Sequence, residues 1–501
     1  MRIKNKNIFF GVIISYFNVL ISIIYGFISV PVLVSSLGKS EYGVYSTIAS
    51  LIGYMSIMDF GIHNVLVRYL AVYKAKKDRK AYENLLAVSL VIYSFIAVIM
   101  LLIGYGIYLN LDMLFEDSFL PSEIAVAKQI FWVVLMDLII SLPGAIFQCV
   151  INAEEHFIFG RTVLGVKQIL KLVLMIGVVN LGGRSLALVW AVFLLNMTVI
   201  ICQAIYCYRK IKIRIHLHNW TWSYIYSLFA YTFFVFIASV SEQITWKLDS
   251  IILGMRISAE VVAVYSVAMN LITIYRKFSG AVSGIFLPKA TRLSISEKSE
   301  EASTDLMIRV GTMQLLILSL ILVGFAIIGE EFVFVWIGQG YEEVYPIFMV
   351  LGVALLIPNC QSIGINILEA RNKHQFRAVV YCCLAIVNGA STYFVVGRFG
   401  MIGAAMCTAV AVLTGQCVII NIYYKKVIHL DIKKFFAETF GRFFMPISAA
   451  AILSYIIVHN LYCFGTWISL ISKGIIIVIV YVSVIVSTSW KKLIKTLYHG
   501  R

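Results

Sequence analysis

A chain of 501 residues that is 61% hydrophobic and 13% charged, with mean hydropathy +0.92, has too few polar residues to cover a water-soluble globule and reads as an integral membrane protein. No gap between its apolar runs is long enough to hold a soluble core. The net charge of +16 sits in short Lys and Arg clusters beside apolar stretches rather than on one continuous face, which argues against nucleic acid and for membrane orientation.

Crossing a hydrocarbon core of about 30 Å at 1.5 Å per residue takes about 20 apolar residues. In chain order that ruler predicts helices near 8–34, 42–62, 85–109, 124–151, 162–181, 185–208, 224–253, 259–287, 308–329, 344–369, 376–397, 401–424, 440–460 and 466–488, about fourteen in all. The first follows a basic start (Arg2, Lys4, Lys6) as a signal peptide does, but it extends to Val34 without an Ala-x-Ala-type cleavage site and reads as a retained helix. The apolar stretches are continuous rather than alternating, which excludes barrel strands. The expected fold is an all-α membrane protein.

An even number of spans puts both termini on one side, and the positive-inside rule makes that side cytoplasmic. Loops of one parity carry Arg68, Lys74, Lys76, Lys77, Arg79 and Lys80; Arg161; Arg209, Lys210, Lys212 and Arg214; Lys289, Arg292 and Lys298; Arg371 and Lys373; and Lys425, Lys426, Lys433 and Lys434. Lys491, Lys492, Lys495 and Arg501 continue the pattern in the tail. Loops of the other parity are short, with Asp112, Glu116, Asp117 and Glu123 in one and Glu330, Glu331, Glu342 and Glu343 in another. Lys39, Arg184, Arg256 and Arg398 are isolated exceptions.

The nine cysteines show neither zinc spacing nor pairing on an outer loop, and Cys149, Cys202, Cys207, Cys360, Cys407, Cys417 and Cys463 read as small buried hydrophobes within apolar runs. Cys382 and Cys383 are adjacent, which gives no chelate geometry. His63, His156, His216, His218, His374, His429, His459 and His499 lack ligand spacing, so no metal is expected. Trp132, Trp190, Trp220, Trp222, Trp246, Trp336 and Trp490 mostly fall near span ends, where interface anchoring explains them better than sugar stacking.

The chain repeats itself. Leu37-Gly-Lys-Ser-Glu-Tyr-Gly-Val-Tyr45-Ser46 resembles Ile257-Ser-Ala-Glu-Val-Val-Ala-Val-Tyr265-Ser266, and Ile151-Asn152, Glu154 and Arg161-Thr-Val163 recur as Ile365-Asn366, Glu369 and Arg377-Ala-Val379. Both offsets are close to 215–220 residues. Six helices per repeat give two halves of the same orientation, related by an axis along the membrane normal, which is a transporter plan. The expected organisation is two pseudo-symmetric six-helix lobes, 1–215 and 216–430, followed by two C-terminal helices and a basic cytoplasmic tail in 431–501.

The stretch Pro31-Val-Leu-Val-Ser-Ser-Leu-Gly38-Lys-Ser-Glu41-Tyr42-Gly43-Val-Tyr45, followed by Met58-Asp59-Phe-Gly61-Ile-His-Asn-Val-Leu-Val-Arg68-Tyr69, resembles the amino-terminal signature of polysaccharide biosynthesis flippases. These are the O-antigen translocases of Wzx type, in the multidrug/oligosaccharidyl-lipid/polysaccharide exporter superfamily. Leu248-Asp249-Ser-Ile-Ile-Leu-Gly254 and Val264-Tyr265-Ser-Val-Ala268 extend the resemblance. It implies a bacterial plasma membrane protein whose cavity opens to one side at a time. The implied substrate is an undecaprenyl-diphosphate-linked oligosaccharide passed from the cytoplasmic to the outer leaflet. A glycan polymerase and chain-length machinery would act alongside it.

A charge near mid-membrane costs about 2.5–3.5 kcal/mol even on the mild insertion scale, so charges retained within spans are candidates for function. Lys167 and Lys171, spaced i,i+4, could meet a diphosphate as point charges; if their helix began later they would be flank residues that snorkel. Arg276 and Lys277 lie deeper and face different directions, so one is expected at the cavity while the other pairs or snorkels; Lys247 is a further cavity candidate. Glu242 and Asp249, seven residues apart on one helical face, could bind a coupling proton or Na⁺, or could simply pair with Lys247 or Arg256. Asp137 lies within a span, and Asp59 and Arg68 near an inner helix end, as gate or coupling candidates. Glu154 and Glu369 are expected in ion pairs that set lobe packing. Pro31, Pro143, Pro358 and Pro446 can bend spans.

No Asp-x-Asp, P-loop or His-Glu-x-x-His pattern occurs and the longest gaps, near 63–84 and 288–307, are basic and short. A membrane polymerase is therefore a distant alternative, and no cofactor or catalytic residue is expected. A cation-coupled drug or small-molecule antiporter of the same superfamily is the nearer alternative. Any energy would come from an ion gradient, membrane potential or product removal, and the sequence leaves that choice open.

Overall fold

The computed structural model describes residues 2–55, 59, 62–219, 222–293, 299–371, 373, 375–460 and 465–498, and every regular element among them is helical. Met58, Phe60 and Gly61 of the signature stretch, together with Trp220, Lys298, His374, Cys463, His499 and Arg501, lie outside the described residues.

Helix α1 runs Arg2–Met55, and its 54 residues would extend about 81 Å if straight, far more than a bilayer. Gly38 divides it: its φ of 73° and ψ of 174° fall in a backbone region essentially reserved for glycine, in the gap expected between the first two spans. A second helix, α2 (Ile62–Ala75), occupies most of what the sequence suggested was a loop over 63–84. With 14 residues it is too short to cross a bilayer by itself, and it carries Arg68 and Lys74, yet it buries an apolar face through Leu66 and Leu70. Asp78 then caps α3 (Arg79–Leu109) by accepting from the Ala81 amide at 3.0 Å.

The short α4 (Leu111–Phe115) leads to α5 (Pro121–Ala153), which opens with proline at its first position and Glu123 folded back onto the Leu120 amide at 2.8 Å. Next come α6 (Phe157–Asn180) and α7 (Ser185–Tyr206), which ends in a π-helical turn over Cys207–Ile211. Helix α8 spans Trp222–Arg256 and α9 Ala259–Leu293. Then follow α10 (Ser299–Ile337), α11 (Val344–Cys360), α12 (Ser362–Ala370) and α13 (Gln375–Val412). The chain finishes with α14 (Ile420–Val427), α15 (Ile432–Phe436), α16 (Arg442–His459) and α17 (Trp467–Tyr498).

Ten helices among the described residues are long and apolar enough to cross a membrane, and α11 with α12, bent by 44° just after Pro358, makes one more crossing. Dividing α1 at Gly38 and α13 at Gly400 (φ 57°, ψ −145°), and adding the 35-residue α8, gives the fourteen expected spans. Large apolar side chains stand exposed along them, with Phe394 at 77% and Ile468 at 83%, as a surface facing lipid requires.

Contacts divide the chain into two compact units, Met1–Ala263 and Val264–Arg501, so α8 groups with the first. The first unit's core is built from α1, α2, α3 and α5, where Ile48, Leu70, Leu86, Tyr93, Ile130, Phe131 and Cys149 are all fully enclosed. Lipid tails are as apolar as leucine, so these helices gain little from hydrophobic transfer among themselves; close packing and polar bonds hold them. In the second unit the same role falls to small residues such as Ala385, Ala404 and Ala405, and to a buried polar network. Gln314 donates to the Ser279 carbonyl (3.0 Å) and to Ser362 Oγ (2.6 Å), Ser279 Oγ donates to the Asn359 carbonyl (2.7 Å), and Asn388 donates to Thr408 (2.9 Å). Helix α17 is fastened to α10 by Tyr481 with Ser319 (2.7 Å) and by Lys473 with Glu331 (2.7 Å).

Candidate functional site

In the first unit, α1, α5, α6 and α7 bring polar side chains together at mid-span. Helix α6 begins at Phe157, so Lys167 and Lys171 lie about 15 and 21 Å along its axis, well inside the span rather than on its flank. Both ammonium groups act electrostatically on Asp137 of α5, which also accepts from Asn196 Nδ2 of α7 at 2.6 Å and lies in reach of Ser141. The other oxygen of Asp137, Oδ1, is buried without a hydrogen-bond partner, as is Asn196 Oδ1. Lys171 Nζ stands 5.1 Å from the centre of the Tyr25 ring on α1, and Tyr45, on the far side of Gly38, feels its charge. Asn18 Nδ2 of α1 donates to the Arg161 carbonyl of α6 at 2.8 Å, pinning the two helices nearly two turns before Lys167.

The geometry follows from two helical rules. Asp137 and Ser141 repeat at i,i+4 on α5, as Lys167 and Lys171 do on α6, so each helix presents a one-turn polar stripe. Packing sets the stripes face to face. The result is one carboxylate answering two ammonium groups, which leaves a net positive centre about 6 Å long in the span interior. Such a centre can receive an anionic group of similar length, and Tyr25, Tyr45 and Asn196 add hydroxyl and amide groups suited to sugar or phosphate oxygens.

The second unit holds a separate basic group. Arg276 and Lys277 sit at the middle of α9, half-buried, and Arg276 lies in electrostatic reach of Tyr381. Arg377 covers the same ring at 5.7 Å, pairs with Glu369 at 3.3 Å, and keeps a buried Nη1 with no hydrogen-bond partner. Glu154, which follows α5, pairs with Lys74 at 2.6 Å, and Glu369 of α12 is likewise held in an ion pair.

The remaining candidates are dispersed. Asp249 is 1% exposed and sits near Tyr54, whereas Glu242, two turns away on α8, is exposed, as is Lys247. The two carboxylates therefore have different surroundings. Asp59 accepts from the Tyr93 hydroxyl at 2.7 Å, and Arg68 lies on the exposed side of α2. Among the described residues no group of three or more His, Cys, Asp or Glu is set to hold a metal. Asn18, Tyr25, Tyr45, Asn196 and Arg377 were missed as site residues from sequence; Asn18, Tyr25 and Asn196 have no charge within a turn on their own helices and meet Arg161, Lys171 and Asp137 only through helix packing.

The fold is similar to that of a structure described as lipid II flippase MurJ in an inward closed conformation, with TM-score 0.74, 14% identity and coverage of 97% of this chain and 99% of that one. It is also similar to an inward-facing multidrug resistance MATE family transporter of the MOP superfamily, with TM-score 0.66, 15% identity and coverage of 82% and 96%. A protein of Shigella flexneri named "Putative O-antigen transporter" is 21% identical over 401 residues, 77% of this chain and 90% of that protein. Ten helices long and apolar enough to cross a membrane among the described residues, in this shared fold, define a multi-span membrane protein. The chain belongs to the polysaccharide biosynthesis protein family, whose family model matches residues 8–288.

Proposed function

We propose that the protein is a flippase that carries a lipid-diphosphate-linked oligosaccharide, such as an O-antigen repeat unit, from the cytoplasmic to the outer leaflet of a bacterial plasma membrane. The observation that carries the proposal is the Lys167–Lys171 stripe at mid-span, answered by a single carboxylate. A diphosphate and a row of sugar hydroxyls crossing bare hydrocarbon leave polar groups unsatisfied at several kcal/mol each. Two ammonium groups one turn apart offset that cost for the phosphates, and neighbouring tyrosine and asparagine groups do so for the sugars. The family's description and the name of the Shigella flexneri relative support a glycan pathway.

In this reading the lobes 1–215 and 216–430 rock about the substrate by alternating access, and 431–501 is appended to the second. Lys247, Arg276 and Lys277 supply further positive charge to the route, Asp59 and Arg68 shape its inner gate, and Glu242, Asp249 or Asp137 takes up a coupling H⁺ or Na⁺. Asp137 suits that task through its unpartnered Oδ1. Both termini are cytoplasmic by the distribution of Lys and Arg. The protein is a carrier rather than an enzyme, surrounded by membrane lipids and handing its cargo to a glycan polymerase and chain-length machinery.

A second reading, a cation-coupled small-molecule antiporter, draws on the enclosed carboxylate of Asp249 and the fold shared with a multidrug transporter. Proteoliposomes loaded with a lipid-diphosphate glycan decide between them. Leaflet exchange of the glycan supports the flippase; movement of a small cation without glycan exchange supports the antiporter.

A further inference from the structure

A cavity of about 330 Å³ opens where several spans of the first unit end on the basic-loop face, lined by residues from the α2–α3 turn, Glu154 and the chain after α7. Five basic side chains and three carboxylates line it. The carboxylates are committed: Glu154 to Lys74 (2.6 Å) and the Tyr82 hydroxyl (3.2 Å), Glu83 to Arg79 (3.0 Å), and Asp78 to the Ala81 amide (3.0 Å). Lys77, Lys212 and Arg214 are left with no acidic partner among the described residues, so the cavity carries surplus positive charge.

The backbone is held in unusual shapes to put two of those cations there. Lys77 (φ 55°) and Lys212 (φ 59°) both adopt the left-handed conformation in which glycine or asparagine is the ordinary choice. Lys212 follows directly on the π-helical turn and donates its amide to the Cys207 carbonyl, to which the Ile213 amide also donates at 3.2 Å. The extended chain beyond is tied back to α3 by Asn84, which accepts from the amides of His218 and Asn219 at 2.8 and 2.9 Å. A lysine kept twice where glycine fits better, at the rim of one cavity, points to a use for the charge.

We propose that this cavity binds the phosphate of an anionic lipid headgroup from the surrounding leaflet, at a place separate from the mid-span cluster. Its volume lies at the low end of small-ligand sites, enough for a phosphate-bearing headgroup and too small for an oligosaccharide. Basic pockets between span ends are suited to such headgroups. Exposed apolar side chains on the same helices, Val72 on α2 and Ile205 on α7, with Tyr208 just beyond, offer acyl chains a continuing surface. That favours an amphiphile over a free anion.

The test uses the full chain purified in neutral detergent, with thermal unfolding followed on addition of cardiolipin (two phosphates per lipid), phosphatidylcholine, or inorganic phosphate at matched phosphate concentration. Cardiolipin raises the midpoint of the unaltered protein through preferential binding to the folded state, and phosphatidylcholine does not. The Lys77→Gln/Lys212→Gln/Arg214→Gln variant loses at least tenfold in apparent cardiolipin affinity. Lys77→Gly/Lys212→Gly loses affinity as well, while its midpoint without lipid stays level or rises because the left-handed positions are relieved. Lys425→Gln/Lys426→Gln, which removes two exposed cations elsewhere, keeps the response. An unchanged cardiolipin response in the triple variant, or an equal loss in the Lys425/Lys426 control, overturns the site. Inorganic phosphate reproducing the whole shift overturns the lipid assignment.

Discussion

Replacing Lys473 with methionine isolates one buried charge and gives the fold a quantitative test. Lys473 and Glu331 face each other at 2.7 Å with side chains only 8% and 6% exposed, joining α17 to α10. Without the ammonium group, Glu331 keeps two long bonds, from Ser469 Oγ (3.2 Å) and the Gly465 amide (3.3 Å), and neither supplies a compensating charge. Removing one partner of such a pair costs about 3–5 kcal/mol, or roughly two to three and a half orders of magnitude in the folded-to-unfolded ratio. The double variant Glu331→Gln/Lys473→Met retains an acceptor for Ser469 and Gly465 and holds no buried charge, so it should recover most of the loss. Unfolding by a denaturing detergent, followed by tryptophan fluorescence across the four proteins of the cycle, reads both numbers. The reasoning fails if Lys473→Met costs less than about 1 kcal/mol, the value of a solvated pair, or if the double variant is no more stable than the single.

Lys167→Gln/Lys171→Gln should slow leaflet exchange of a lipid-diphosphate glycan about tenfold or more in proteoliposomes at unchanged protein abundance; wild-type exchange would remove both residues from the route. Arg276→Gln and Lys277→Gln, singly and together, should lower glycan export with normal abundance, and unaltered export in all three would dismiss the second basic group. Gly43→Ala places a Cβ 1.8 Å from the Ala259 carbonyl oxygen, so packing of α1 on the start of α9 should lose about 1–3 kcal/mol or more. Gly106→Ala, with open space around it, should hold the midpoint level or raise it, and equal behaviour of the two glycines would contradict the close approach. Asn388→Ala breaks the buried 2.9 Å bond to Thr408 and should cost about 0.6–1.7 kcal/mol in the same unfolding assay; a loss several times larger would mean the bond anchors more than its two helices.

Span number and placement were legible because hydrocarbon thickness imposes a length that any apolar run must meet. The boundary between the first two spans fell close to Gly38, and the last two spans closely match α16 and α17. Helix α2 was not legible: Arg68 and Lys74 made it read as a loop, although Leu66 and Leu70 are fully buried. Charges inside spans could be counted from sequence, but their partners could not. Lys473 finds Glu331 across 142 positions, and Asp137 finds Asn196 across 59, through helix packing that no local pattern encodes. Lys77 and Lys212 looked like ordinary loop lysines because sequence gave no sign that either would take a positive φ.

The single-residue junctions at Gly38 and Gly400 also bear on how movement passes along the chain. A connection several residues long absorbs a neighbour's displacement as slack; one glycine between two rigid rods has almost none to give. A shift of the end of the span carrying Asn18 and Tyr25 must therefore draw the start of the span carrying Tyr45 with it, while the glycine's free dihedrals let the two rods pivot at their shared point. Lengthening either junction with a flexible insert would leave each rod intact while cutting that mechanical linkage.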